Sequence, residues 1–120
     1  MTIHSVNYDD LNAAWKLIED RIASLGCPYE VAVEAGDGRN LAWAWVKGEF
    51  RVCVIQQDGD FIAPVLDSKF INRIELVDFV GSLEDAIISR LEEARREALA
   101  ATKKLTNYLA AVRLKGRGVL

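Results

Sequence analysis

The sequence predicts an α+β domain, and three patterns predict it. Apolar residues at helical spacing open the chain, and four short strand-like segments joined by glycine turns fill its middle. A helical pattern without Gly or Pro then runs from Ser82 to about Lys115. The predicted order is an N-terminal helix, a four-stranded antiparallel meander, a short helix and a long C-terminal helix.

The first helix is expected from Asn7 or Asp9 to Leu25. Tyr8, Leu11, Ala14, Trp15, Ile18, Ile22 and Leu25 recur at spacings of three and four. Asn7 with Asp10 resembles a capping box, and Gly26 before Pro28 is a stop. The first strand, 29–35, sets Tyr29, Val31 and Val33 against Glu30 and Glu34 on alternate faces. Residues 36–40, GDGRN, read as a hairpin loop into the strand 41–47. The next strand, 50–57, follows a turn at Lys47-Gly48-Glu49, and Asp58-Gly59 turns the chain into 60–66. Pro64 has no amide donor, so this fourth strand is expected at an edge or to end there. A short helix from Asp67 or Ser68 to Val80 places Phe70, Ile71, Ile74 and Val77 on one face. Gly81 is expected to close it and Ser82 to cap the long helix, with Glu84 and Asp85 in its first turn.

Antiparallel pairing puts Trp43, Trp45, Phe50, Val52, Val54, Ala63 and Val65 on one sheet face. Ala42, Ala44, Val46, Cys53, Ile55, Ile62 and Leu66 fall on the other. Neither face is polar, so both want cover. The Trp/Phe face is the larger patch. Trp43, Trp45 and Phe50 are therefore candidate partner-binding residues wherever they reach the surface.

The long helix asks for a partner in a different way. At ~1.5 Å per residue it is about 50 Å long, whereas a compact domain of this size is only about 35 Å across. Ile87, Leu91, Ala94, Ala98, Ala101, Leu105, Tyr108 and Val112 alternate spacings of four and three, which is a heptad seam. Its alanine middle buries little area per contact, so the helix is expected to pack on the sheet as well as to extend to a partner. Charge is split along the chain. Up to Glu97 there are 10 Lys/Arg against 18 Asp/Glu, and beyond it five cations and no acid. An antiparallel mate sets Glu84, Asp85, Glu92 and Glu93 beside Lys103, Lys104 and Arg113, whereas a parallel mate sets like against like. The expectation is a homodimer through this helix, with Leu105, Tyr108, Val112, Lys103, Lys104 and Arg113 as partner-binding residues.

Catalytic, cofactor and metal sites are not expected. The only histidine, His4, stands near the start and leaves no Ser/His/Asp set to assemble. Gly36-Asp37-Gly38 lacks a following GK[ST], and Asp58-Gly59-Asp60 lacks the remaining ligands of a calcium loop. Cys27 and Cys53 form no CxxC and read as reduced structural thiols. The acidic pairs Asp9-Asp10, Glu19-Asp20 and Glu92-Glu93 read as solvated helix faces. The absence of a signal sequence and of any apolar run of about 20 residues points to the cytoplasm and away from a membrane. The basic tail from Arg113 to Gly118 lacks aromatics to stack on bases, and the rest of the chain is acidic, which argues against nucleic acid.

The stretch LAWAWVKGEFRVCVIQQDGDFIAPVLDSKFINRIELVDFVGSLEDAI resembles small, uncharacterised bacterial and phage-borne proteins. In these a W-x-x-G-x-[FW] hairpin, here Trp45 to Phe50, runs into a helix-rich C-terminus. The resemblance covers the middle third of the chain and implies no activity. It implies a mobile-element origin and, with it, a small modulator that binds and occupies a host protein. A fold-level analogy to acidic dimeric secretion chaperones, which also open with a helix and a strand meander, suggests a cofactor for one cognate protein as an alternative. A nucleic-acid-associated regulator using the basic tail is the other alternative.

Overall fold

A computed structural model describes residues 8–56 and 61–118, with side chains to 115. Its elements are α1 (Tyr8–Ala23), β1 (Val31–Glu34), β2 (Arg39–Val46), β3 (Glu49–Gln56), β4 (Ile62–Pro64), α2 (Phe70–Glu75) and α3 (Val80–Gly118). Two 3-10 turns, Val65–Asp67 and Leu76–Phe79, flank α2. The α+β layout expected from the sequence is therefore present. The cap at Asn7, the terminus with His4 and the Asp58-Gly59 turn lie outside the described residues. The chain divides into two compact units, residues 1–88 and residues 89–120.

In the first unit the four strands form one antiparallel meander in the order β1-β2-β3-β4. Turn chemistry fixes the register. Lys47 and Gly48 both have positive φ, 51° and 89°, the requirement of a two-residue type I′ turn, and Val46 accordingly pairs with Glu49. Gly36, Asp37 and Gly38 all have positive φ, and the Ala35 amide bonds the Arg39 carbonyl across them. The loop therefore closes two residues earlier than expected, and β2 begins at Arg39. The register sets Trp43 opposite Val52, Trp45 opposite Phe50, and Ala42 opposite Cys53, the two faces read from the sequence. Leu41, Trp43, Val52 and Val54 are buried on one face. Ala42, Ala44 and Cys53 form a second buried cluster on the other, with Val46 and Ile55 packed against it.

Further expectations need correction. β4 ends at Pro64, and Val65 and Leu66 lie in a 3-10 turn rather than in the strand, because proline lacks the amide to continue the ladder. The short helix does not bury Ile71, Ile74 and Val77, which are about half exposed; Asn72 and Leu76 point inward instead. The helix lasts only six residues before tightening to 3-10, which shifts its phase, and Asn72 turns inward to meet Arg39. Gly81 does not end that helix. It lies inside α3, which starts at Val80, before Ser82. A C-terminal glycine stop needs positive φ, which Gly81 does not adopt.

Side-chain bonds tie the elements of this unit together. Trp15 Nε1 donates to the Arg73 carbonyl at 2.8 Å, and Arg73 Nη1 donates to Asn12 Oδ1 at 2.6 Å, joining α1 to α2. Arg21 forms a forked pair with Glu84, joining α1 to the start of α3. Leu76, Leu83 and Ile87 are fully buried, as is Ile22. Glu19 is buried, contrary to the solvated face expected for Glu19-Asp20. Its carboxylate accepts from Arg51 Nε at 2.9 Å and from the Val52 amide at 3.1 Å. The three residues of β4 pair only with Cys53 to Ile55, so Val52 lies beyond that ladder and Glu19 supplies its acceptor.

The second unit is the remainder of α3. Among the described residues no helix is long and apolar enough to cross a membrane.

Candidate functional site

The aromatic candidates divide. Trp43 is 4% exposed, its Nε1 donates to the Cys27 carbonyl at 3.0 Å, and its ring stacks on Phe50 with centroids 5.4 Å apart. It is a core residue with its polar atom satisfied, so it cannot anchor a partner in the folded chain. Trp45 is 56% exposed and meets Phe50 edge to face at 5.2 Å. Phe50 is half-buried between the two. The aromatic surface is thus one tryptophan near a hairpin tip, braced by a phenylalanine.

On α3 a single apolar stripe changes character along its length. Leu83 and Ile87 are fully buried, Leu91 and Ala94 are partly buried, and from Ala98 onward every described residue is exposed. The exposed part is not polar. Leu105, Tyr108 and Val112 are 63%, 65% and 45% exposed, and Leu109 borders them; Leu99 and Leu114, also exposed, lie around the helix from the stripe. Lys103, Lys104 and Arg113 are exposed on the same stretch. Polar side chains keep to the flanks. Arg90 Nη1 lies 4.0 Å from Glu97 Oε2, one heptad away, so both lie along one edge of the stripe. The Thr102 hydroxyl donates back to the Ala98 carbonyl at 2.8 Å, which turns it into its own backbone. A helix that exposes Leu105, Tyr108, Leu109 and Val112 together on one face carries an apolar patch.

Among the described residues no group of three or more His, Cys, Asp and Glu side chains could hold a metal ion. Both cysteines are free and buried. Burial, reinforced by the Glu19 charge, pushes the Cys53 thiol up to about 12, so it stays protonated and a poor nucleophile at neutral pH.

Two features went unread in the sequence. One is Arg39, a buried cation whose Nη1 donates to Asn72 Oδ1 at 2.7 Å and which also reaches Asp37 and Glu75. It borders a cavity of about 330 Å³ with Lys69, Phe61 and Gln56. No spacing rule marks it, because Arg39 follows directly on the Gly36-Asp37-Gly38 turn, at the first position of β2. The other is an apolar groove of about 260 Å³ between Leu11, Ala14, Trp15, Ile18, Val77 and Val80. It opens because Val77 lies outward instead of in the core.

No protein-family model, curated protein or solved structure matches the chain.

Proposed function

We propose that this protein is a small non-enzymatic interaction module, dimeric through α3, that acts by binding and occupying a partner protein. The observation that carries the reading is the apolar stripe of α3, buried at Leu83 and Ile87 and exposed from Ala98 to Val112. Exposed leucine, tyrosine and valine in that number lower solubility unless another surface covers them. The exposed Trp45 offers a second anchor of a type common at interface centres.

The test is affinity capture by the tagged full chain from nuclease-treated host lysate, beside a Leu105→Glu, Val112→Glu variant. The expected result is a stoichiometric protein, whether a host protein or an untagged second copy, that survives nuclease and is lost with the variant. Far-ultraviolet circular dichroism should show the variant still helical. Equal recovery by the variant, or recovery of nucleic acid alone, contradicts the reading.

A further inference from the structure

The stripe of α3, partly buried at Leu91 and Ala94 and exposed from Ala98 on, is self-complementary in one direction only. In an antiparallel pair, seam positions face each other at a constant sum of residue numbers. The register that centres the seam places Ala98 opposite Ala101 of the second copy, Ala94 opposite Leu105, and Leu91 opposite Tyr108. Each contact occurs twice by symmetry. Bulk therefore grows outward from the axis, from alanine on alanine through alanine on leucine to leucine on tyrosine, symmetrically in both halves. The two alanine layers at the centre let the backbones come close.

The flanks agree. In the same register Glu97 faces Lys104 of the second copy on one side, again twice. Ile88, 38% exposed, faces the exposed Leu109 on the other side. Arg90 Nη1 lies 4.0 Å from the Glu97 carboxylate and as near to that of Glu93, so Glu97 stands along the edge where Lys104 of the mate would arrive. A parallel pair fails on the same residues. It stacks Ala94, Ala98 and Ala101 on their own copies in successive layers, and it brings Arg90 against Arg95 across the flank. Ile87 is fully buried within its own chain, so the pairing spans about residues 88–109 and not the whole helix.

We infer that α3 pairs antiparallel with α3 of a second copy, about a two-fold axis level with Leu99 and Ala100, and that Glu97 with Lys104 sets the direction. A two-fold interface requires that when one residue meets another, the second meets the first, and this stripe satisfies that in both its packing and its charge. The pairing rests on α3 being a binding helix and names what it binds.

The test is sedimentation equilibrium on full chains: wild type, Glu97→Lys, Lys104→Glu, and an equimolar mixture of the two variants. The wild type should dimerise in the micromolar range. Each single reversal places like charges together at two symmetric positions and should raise the Kd about tenfold. The mixture restores opposite charges at both positions and should associate like the wild type. Any clash that Glu97→Lys creates with Arg90 of its own helix persists in the mixture, so recovery isolates the contact between chains. Circular dichroism should show the same helicity throughout. Singles that associate like the wild type, or a mixture no tighter than the singles, overturn the inference. A wild type that stays monomeric while still capturing another protein through Leu105 and Val112 overturns the self-pairing, and with it the dimer of the proposed function, and leaves α3 standing only as a helix that binds a different protein. Monomeric wild type with no such capture overturns both.

Discussion

The described part of residues 8–88 and the described part of residues 89–118 are both rich in apolar side chains, yet they treat them oppositely. In the first, Leu41, Val54, Leu76, Leu83 and Ile87 are fully buried, and buried polar groups find partners, as Glu19 does with Arg51 and Trp43 with Cys27. In the second, Leu99, Leu105, Tyr108, Leu109 and Leu114 are each more than half exposed. The comparison teaches that a heptad pattern marks a face that wants burial without saying who covers it. In α3 the first turns of the stripe find cover in their own chain. The later turns carry the same pattern with no cover among the described residues.

The comparison breaks most sharply at its two leucines. Leu83→Ala should destabilise the protein by about 2–5 kcal/mol, since it removes a fully buried side chain. Leu105→Ala should change stability by less than about 0.5 kcal/mol in dilute solution, where no dimer contributes. Urea denaturation of both variants checks this. A large loss from Leu105→Ala at high dilution would mean that its residue is core.

The next effect belongs to Glu19. Glu19→Ala leaves the Val52 amide and the Arg51 guanidinium without their shared acceptor and should cost about 3 kcal/mol. Reversing the exposed Asp20 next to it should cost little. Equal losses at the two positions, again by urea denaturation, would show that Glu19 is only another surface acid.

The smallest effect lies at the start of α3, the helix that runs on from the first region into the second. Gly81 is helical, and a Cβ built on it meets nothing within 4 Å. Gly81→Ala should therefore stabilise the protein by about 0.5–1 kcal/mol. Gly48→Ala, at φ +89° in the hairpin turn, should destabilise it. A destabilising Gly81→Ala, read as a lowered thermal midpoint, would restore the helix break that the sequence suggested.

How far these features were legible depends on how local their causes are. The meander and its two faces were legible because the turn around Lys47-Gly48-Glu49 and the alternation of β2 and β3 are local signals, and the faces come out the same in either adjacent turn register. Trp43 and Trp45 share one face of one strand, so period alone could not separate them. Their fates depend on the Cys27 carbonyl, which accepts from Trp43, and on the nearness of Trp45 to the turn. Glu19 was misread although a signal existed. It stands four residues after Trp15 and three before Ile22, within the buried stripe of α1. Gly81 was read as punctuation because glycine more often ends a helix than continues one, and only its backbone angle distinguishes the two. The exposed stripe of α3 was legible as a seam. Where its cover stops was not, because that depends on tertiary packing around Leu83 and Ile87.

The most direct test of the central claim, that α3 of one copy covers α3 of another in antiparallel register, is oxidative cross-linking of chains carrying single introduced cysteines. Cys27 and Cys53 are buried, so introduced surface thiols should react first. An equimolar mixture of Ala94→Cys and Leu105→Cys chains should yield a disulfide-linked heterodimer, identified by mass, while neither variant alone forms a dimer. Cross-linked homodimers of Ala94→Cys, or no cross-link in the mixture, would contradict the claim.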